Sequence, residues 1–457
     1  MRLYNTLSRQ VEEIKPLNPP EVTVYTCGPT VYDYPHIGNW FTFIRYDLLI
    51  RALKHEGYKP KWVMNITDVG HLTSDADEGE DKLANKAQKE GKDAWQIAAF
   101  YSDYFNSSLN RLNFIIPWLL PKATEHINEQ IEFIKQLEAK GYTYQTSDGI
   151  YFDTSKFPSY ADFARLDIDE QQAGARVGIN PEKRNQTDFA LWKFSPHEVQ
   201  RDMEWDSPWG KGFPGWHIEC SAMCLKYLGE TIDIHAGGID HVPIHHTNEI
   251  AQSQSLTGKP LASIWMHTNH IMINDEKISK SLGNAISLED IEAKGYSLEA
   301  LRLHVLESSY RSQSKFNWDS LAAATSRLLR YKNLAALRYQ AKGKEYIPLK
   351  GLAESMLDDL NTPLALSKLE QFIDSIEGKD ISVQTIEDAV SQIDSLFGLR
   401  LSEVKDISSD QKKLIAAREE ARSRQDFLRS DELRNNLAEQ NIGVKDMPGG
   451  PVWFYLR

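Results

Sequence analysis

Cysteine is scarce in this chain of 457 residues, which contains only Cys27, Cys220 and Cys224. Three cysteines at such uneven spacing do not form the disulfide framework that stabilises small secreted domains. In a reducing compartment, each one is a metal ligand, a catalytic group or a small buried side chain. The residues that accompany each cysteine have to distinguish these alternatives.

Long apolar runs are also missing. The chain contains no stretch of about 18 or more consecutive apolar residues, the length that a membrane-spanning helix requires. Its first residues lack the basic region, apolar stretch and small-residue cleavage site of a secretory signal. We therefore expect a cytoplasmic protein with no membrane partner.

Positive charge is in deficit, with a formal net charge of −13. This balance argues against a protein covered by nucleic acid, although a local basic surface is compatible with it. Residues 321–350 contain seven Lys or Arg and one Glu, so they could contact phosphates. The alternative is an ordinary solvated helix face.

The first part of the chain predicts a parallel α/β sheet. Residues 21–26 are β-branched and aromatic, residues 40–55 carry apolar side chains at helical spacing, and residues 61–66 resemble a second strand. Ligands of such sheets bind beyond the carboxyl ends of the strands. A further strand is expected at residues 231–235, after an irregular insertion. Beyond residue 319 the patterns are helical, including one long stretch over residues 352–376.

The segment from Pro35 to Asn39 opens the first predicted helix. A helix N-terminus presents free N–H groups and a positive dipole to an anion. Gly38 allows a nucleotide to approach the backbone, and His36 and Asn39 can donate hydrogen bonds to phosphate oxygens. The alternative is that His36 and Asn39 only cap the helix.

Residues 277–284 form a basic loop of small residues. Lysines on such a loop can stabilise the negative charge of an α-phosphate and of a departing pyrophosphate, above all where water is excluded. Lys277 and Lys280 are the candidates. Taken alone, this segment could also be a surface turn.

A third group of residues suggests a metal site. On a helix, His245 and Glu249 would share one face, because they are four residues apart. With thiolates from Cys27 and Cys220 they make a possible four-ligand zinc site. The alternatives are that both cysteines are buried small hydrophobic residues, or that Cys224 replaces Cys220; we expect Cys224 to belong to the core.

The two phosphate motifs together resemble the signatures of class I aminoacyl-tRNA synthetases, usually His-Ile-Gly-His and Lys-Met-Ser-Lys-Ser. This chain departs from them at Asn39 and Ile278. Asn keeps a hydrogen-bond donor and Ile stays apolar, so we expect activity to survive both changes. Residues 27–32, residues 188–193 and the candidate zinc ligands narrow the resemblance to the cysteinyl-tRNA synthetase family, over essentially the whole chain.

The resemblance implies an ATP-dependent ligase that forms cysteinyl-adenylate and transfers cysteine to the 3′ end of tRNA(Cys). It implies ATP with Mg²⁺ as substrate, one Zn²⁺ per chain and a monomer. Zinc recognition agrees with chemistry, because a soft thiolate binds zinc whereas the hydroxyl of serine does not. Rival interpretations are a related ligase that passes cysteine to an amino sugar, and an inactive tRNA-binding homologue. The intact motifs and the terminal module argue against both.

The resemblance also assigns site residues. The expected zinc ligands are Cys27, Cys220, His245 and Glu249. The expected lining of the cysteine and adenylate pocket is Thr67, Trp216, His235 and Asp240. The expected catalytic residues are His36, Asn39, Lys277 and Lys280. The expected ATP contacts are His36, Gly38, Asn39, Gly238 and Lys280.

The predicted fold is a Rossmann-like parallel-sheet core with an insertion, followed by an α-helical bundle and a small C-terminal anticodon-binding domain. In the bundle and terminal domain we expect contacts with tRNA, including stacking of a base on Trp453 or Phe454. The predicted segments are 1–105, first half of the catalytic domain; 106–200, connective insertion; 201–255, second half of the catalytic domain; 256–318, stem-contact region with the Lys-Ile-Ser-Lys-Ser loop; 319–400, helical bundle; and 401–457, anticodon-binding domain.

Overall fold

The computed structural model describes residues 1–70, 81–165, 180–195, 201–273, 276–277, 285–447 and 449–457. The chain divides into two compact units. The first comprises Met1–Ile271, Lys277–Ser287 and Tyr310–Ser314, and the second comprises Met272–Glu276, Leu288–Ser309 and Lys315–Arg457. The six segment boundaries expected from the sequence stay predictions.

The core of the first unit is a four-stranded parallel sheet. Its strands, in spatial order, are Ala262–Thr268, Ile232–Gly238, Glu21–Thr26 and Lys59–Met64. The strands are rich in buried apolar side chains, as expected for a sheet covered on both faces. The helix Ile37–His55 joins the two strands that are first in sequence. The predicted α/β class and the strand–helix–strand unit are therefore confirmed.

A second sheet in the first unit is antiparallel and was not predicted. It follows chain order, and its strands are Thr143–Gln145, Gly149–Phe152, Phe189–Phe194 and Gly212–Pro214. Three of the strands have no more than four residues. Such short strands carry too little alternation to stand out from the turns that separate them.

The first unit also contains a two-stranded antiparallel sheet formed by Arg2–Asn5 and Gln10–Glu13. Its further helices are Lys82–Glu90, Ala94–Arg111, Ile127–Ala139, Trp216–Leu228 and Thr247–Thr257. A π-helical turn, Val242–His246, leads directly into the last of these helices. Three further short strands occur later in the chain, at Ile271–Ile273, Glu276–Lys277 and Ser314–Phe316.

The second unit is mainly helical. Its helices are Leu288–Ala293, Leu298–Leu306, Trp318–Ala336, Leu352–Leu357, Thr362–Ile376, Val383–Phe397, Ser409–Ser423 and Phe427–Glu439. The chain ends in a hairpin of Ile442–Met447 and Gly450–Tyr455. The long helical stretch expected over residues 352–376 is two helices, because Asp359 and Leu360 adopt positive φ and Asn361 caps the second helix.

Within the described ranges, no helix has both the length and the apolar character that are needed to cross a bilayer.

Candidate metal and nucleotide site

The four candidate zinc ligands lie together in the first unit. Cys27 follows the strand Glu21–Thr26, Cys220 lies on the helix Trp216–Leu228, His245 lies in the π-helical turn and Glu249 on the helix after it. All four are buried, and their ligand atoms lie within 4.8 Å of one another. Residues far apart in sequence therefore present two sulfurs, one nitrogen and one oxygen to a common point.

A second set of potential ligands overlaps the first. Cys27, His235, His246 and Glu249 also bring their ligand atoms within 4.8 Å of one another. Nε2 of His246 lies 3.2 Å from Sγ of Cys27, and its Nδ1 lies 2.7 Å from Nε2 of His267. Sequence reasoning did not include His246, although its position directly after His245 was a signal.

Glu249 shows how well the first set fits a metal. Its Oε2 lies 2.9 Å from Nε2 of His235 in a hydrogen bond. Its Oε1 lies 3.0 Å from Nε2 of His245, yet it accepts no hydrogen bond from a described residue. An oxygen and a nitrogen that bind the same cation approach each other about this closely. Two thiols, an imidazole and a carboxylate are also a donor set suited to zinc.

The two cysteines of the site have unequal acidities. Burial and the neighbouring Cys220 raise the pKa of Cys27 well above its usual range. A hydrogen bond with Cys27 lowers the pKa of Cys220, against the effect of burial. Sulfur in its thiolate form is the better metal ligand, and here the geometry favours it at Cys220.

The histidine and the carboxylate of the site stabilise each other's charge. Burial alone lowers the pKa of His245, but the neighbouring Cys220 and Glu249 outweigh burial and raise the pKa to about 10. Burial alone raises the pKa of Glu249, but the nearby His235 and His245 lower it to about 2. The carboxylate is therefore ionised at neutral pH and available to a cation.

Cys224 lies outside both sets of ligands. It is fully buried and packs in an apolar cluster with Met223, Leu228 and Ile232, among others. Burial raises its pKa well above the usual range. The structure thus agrees with Cys224 as a core residue.

A cavity of about 220 Å³ adjoins the metal ligands and the start of the helix Ile37–His55. Its lining includes seven of the predicted residues: Cys27, His36, Asn39, Thr67, Trp216, Cys220 and His245. Gly38, His235, Gly238, Asp240 and Glu249 do not line it. The structure thus gathers these seven residues around one cavity.

His36 and Asn39 cap the helix Ile37–His55. The imidazole of His36 accepts from the N–H of Asn39, and the side chain of Asn39 accepts from the N–H of His36 at 3.1 Å. The capping role that the sequence left open is therefore real. It does not conflict with phosphate binding, because a capped helix start lining a cavity retains its positive dipole.

Gly28, Asn65 and Thr67 form a hydrogen-bonded wall of the cavity. The side chain of Asn65 accepts from the N–H of Gly28 at 2.9 Å and donates to the hydroxyl of Thr67 at 3.0 Å. Thr67 donates in turn to Glu219 at 3.1 Å. A Cβ at Gly28 would lie 1.8 Å from the carbonyl oxygen of Asn65, so only glycine fits. Sequence reasoning missed Asn65 and Glu219.

Of the predicted pocket residues, Trp216 lines the cavity, whereas His235 and Asp240 do not. The Trp216 ring lies 5.0 Å from that of His245 and lines the cavity. His235 is fully buried, and its ring stacks on that of Trp265 with the ring centroids 4.5 Å apart. Its Nε2 forms the hydrogen bond with Oε2 of Glu249. Asp240 is exposed, beside Gly238. Their contacts with a substrate stay predictions.

The basic loop contains the two predicted lysines, Lys277 and Lys280. Lys280 lies outside the described residues, and of Lys277 only the strand that contains it is described. Their roles stay predictions as well.

Comparisons with known proteins agree with one another. Residues 13–326 match the family model described as tRNA synthetases class I (C) catalytic domain. A cysteine--tRNA ligase of Treponema denticola is 41% identical over 493 residues, covering 100% of both chains. Cysteine--tRNA ligase 1 of Burkholderia lata is 43% identical, covering 99% of this chain and 97% of its own.

Among solved structures, Mycobacterium tuberculosis methionyl-tRNA synthetase in complex with methionyl-adenylate has a TM-score of 0.60. It covers 84% of this chain and 93% of its own, at 14% identity, and so supports the fold alone. The family match and the full-length relatives decide the classification. The chain belongs to the cysteine--tRNA ligase family of class I tRNA synthetases.

Proposed function

We propose that this protein is a cysteine--tRNA ligase, which activates L-cysteine with ATP and transfers it to the 3′ end of tRNA(Cys). The observation that carries this proposal is the convergence of Cys27, Cys220, His245 and Glu249 beside a cavity that also contains the capped helix start. Family membership supplies the enzyme class, ATP and tRNA as substrates.

The same four residues would hold a zinc ion. The donor set and the 3.0 Å approach of Nε2 of His245 to Oε1 of Glu249 support this assignment. When bound, zinc supplies a soft Lewis acid with affinity for a thiolate and little for a neutral hydroxyl. His235 would orient Glu249 through its hydrogen bond to Oε2, as outer partners of metal ligands commonly do.

The side chains around the cavity would bind and orient the reactants. His36 and Asn39 begin the helix Ile37–His55, whose N-terminal dipole favours the phosphates of ATP. Trp216 and Thr67 would form walls that exclude water around the amino acid. Lys277 and Lys280 would stabilise charge on the α-phosphate and pyrophosphate, with Mg²⁺ accompanying ATP. The cysteine carboxylate attacks the α-phosphate and displaces pyrophosphate. The 3′-terminal hydroxyl of tRNA then attacks the carbonyl carbon of the adenylate, which forms the ester and releases AMP.

Positioning and electrostatics carry the first step, so no protein general base is assigned. The tRNA contacts belong to the helical second unit, where lysines and arginines are numerous. A monomer and a cytoplasmic location complete the proposal.

Two assays test the function. The purified protein should catalyse ATP–pyrophosphate exchange that depends on cysteine, and should attach cysteine to a tRNA(Cys) transcript. Exchange without tRNA charging, combined with cysteine transfer to an amino sugar, would favour the related ligase. Neither activity in a folded, metal-loaded preparation would favour an inactive tRNA-binding homologue.

A further inference from the structure

Glu219 is a fully buried carboxyl group that belongs to neither set of candidate metal ligands. It lies on the helix Trp216–Leu228, directly before Cys220, and it does not line the cavity of about 220 Å³. Burying a carboxyl group costs free energy unless polar partners compensate it. One such partner is Thr67, which does line the cavity. Glu219 is therefore connected to the cavity through a single intervening side chain.

The hydroxyl of Thr67 is largely committed to protein partners. A hydroxyl offers one hydrogen and two acceptor lone pairs. Thr67 donates its hydrogen to Oε2 of Glu219 at 3.1 Å and accepts from Nδ2 of Asn65 at 3.0 Å. Among the described residues, no further group forms a hydrogen bond with this hydroxyl. One lone pair remains, so the hydroxyl can act on a ligand as an acceptor and not as a donor.

The backbone fixes the direction of this chain of hydrogen bonds. The N–H of Gly28 is a donor only, so the atom of Asn65 that faces it at 2.9 Å is the side-chain oxygen. The nitrogen of the Asn65 amide then faces Thr67. Because that nitrogen is itself a donor, the hydroxyl hydrogen of Thr67 points away from it, towards Glu219. Asn65 and Glu219 together determine the polarity of Thr67.

Backbone hydrogen bonds also hold Thr67 in place. Its N–H donates to the carbonyl oxygen of Pro29 at 3.0 Å, and its own carbonyl oxygen accepts from the N–H of Val31 at 3.1 Å. The side chains of Asn65 and Thr67 are both buried. An acceptor that is already fixed binds a ligand with little loss of conformational entropy.

An acceptor with a carboxyl group behind it suits a positively charged donor. The described residues that line the cavity include one acidic side chain, Asp33, and it lies 3.3 Å from Nζ of Lys86. Cysteine carries its thiol and its ammonium group on adjacent carbon atoms. Thr67 and the candidate metal ligand Cys220 line the same small cavity. A substrate thiol at the metal site would therefore bring the ammonium group into the cavity where Thr67 presents its lone pair.

We propose that Glu219 and Asn65 are positioning residues, which make the hydroxyl of Thr67 an acceptor for the α-ammonium group of the substrate. Hydrogen bonds with charged groups are stronger than neutral ones, and the carboxylate of Glu219 strengthens the acceptor through the shared hydroxyl. Neither residue touches the reacting atoms. This proposal rests on cysteine as the substrate in the proposed function, and it extends recognition from the thiol to the ammonium group.

Two nearly isosteric substitutions test the proposal in the full-length, metal-loaded protein. Glu219→Gln removes the charge and allows an amide nitrogen to face Thr67, and Thr67→Val removes the hydroxyl. Each should raise the KM for cysteine in ATP–pyrophosphate exchange about tenfold or more and change kcat less than about threefold, because the ammonium contact is present in both the ground state and the transition state. Asp68→Asn is the matched control, since this neighbouring buried carboxylate accepts from Thr124 and does not line the cavity. It should change the KM less than about twofold.

Inhibition by 3-mercaptopropionate gives a measurement that a general loss of structure would not reproduce. This compound has the thiol and the carboxylate of cysteine but no ammonium group, so its Ki should stay within about twofold in Glu219→Gln and Thr67→Val. A Ki that rises in parallel with the KM would overturn the proposal, because the cavity itself would then be altered.

An unchanged KM in either variant, or an equal rise in Asp68→Asn, would also overturn the proposal. So would loss of zinc from Glu219→Gln in elemental analysis, since Glu219 would then position the metal ligand Cys220 instead. Cysteine-dependent exchange by the unmodified protein tests the proposed function by itself. Failure of the proposed function and failure of this proposal are therefore distinguishable.

Discussion

Burial determines the protonation of Asp68, a single residue next to the cavity wall. Asp68 is 4% exposed. Its carboxylate accepts hydrogen bonds from the N–H and the hydroxyl of Thr124, at 2.9 and 2.6 Å. Burial raises the pKa of Asp68 to about 6, although these hydrogen bonds act in the opposite direction. The carboxyl group therefore loses its proton in the folded protein at a higher pH than in the unfolded chain.

This shift predicts how Asp68→Asn alters stability with pH. A folded-state pKa above the unfolded one of about 3.9 contributes stability below about pH 4, which is lost as the pH rises through about 6. Asn is neutral throughout, so the variant should gain about 3 kcal/mol relative to the parent protein between about pH 4 and pH 7. Urea unfolding of both proteins at several pH values measures this difference, and parallel stability curves would contradict it.

Among the elements, the helix Ile37–His55 combines a structural and a chemical role at its first turn. Its capping box satisfies backbone groups that would otherwise lack partners, and the same residues line the cavity of about 220 Å³ beside the metal ligands. A change at Asn39 should therefore affect both stability and the adenylate step.

Two substitutions at Asn39 separate these effects. Asn39→Ala removes one of the two hydrogen bonds of the capping box, the one accepted from the N–H of His36, which should cost up to about 1 kcal/mol of stability. It should slow ATP–pyrophosphate exchange at least about tenfold. Asn39→His restores the usual class I signature and should retain exchange. Exchange rates together with thermal melting are the measurement. Equal and unimpaired exchange in both variants would show that Asn39 acts only as a cap.

The terminal helix Phe427–Glu439 offers an aromatic side chain that the sequence analysis did not select. Trp453 is only 6% exposed and belongs to an apolar core, so the expectation that it stacks on a base is wrong for this residue. Phe427 is 60% exposed and Leu428 is 77% exposed. Base stacking requires an accessible ring, which makes Phe427 the better candidate.

Phe427→Ala should raise the KM for tRNA in charging about tenfold and leave ATP–pyrophosphate exchange unchanged. Leu428→Ala is the matched control, because it removes a neighbouring exposed side chain that has no π face. Steady-state charging with a tRNA(Cys) transcript measures both. If the two variants lose the same factor, or if neither does, Phe427 does not stack on the RNA.

For the whole molecule, the sequence predicted three of the four strands of the parallel sheet, because these apolar stretches end at turns, but it did not predict the strand Ala262–Thr268. The sequence also indicated Cys27 and Cys220 as candidate metal ligands, because the chain contains only three cysteines and each could be considered in turn. The antiparallel sheet escaped prediction because its strands are short. Asn65, Glu219 and His246 escaped because their roles depend on contacts across many residues, such as the 3.1 Å bond from Thr67 to Glu219.

Under the proposed function, selectivity for cysteine over serine would depend on several separate elements of the first unit, because these elements supply the candidate ligands. The decisive measurement compares activation of cysteine and serine in the metal-loaded protein, the chelated protein, Cys220→Ser and the control Cys224→Ser, with zinc determined by elemental analysis. We predict one zinc per chain and a preference for cysteine over serine of roughly 10⁴. This preference should be retained in Cys224→Ser and should fall towards about 10² in the chelated protein and in Cys220→Ser. Absence of zinc from mildly purified protein, or an equal loss of both activities on chelation, would contradict it.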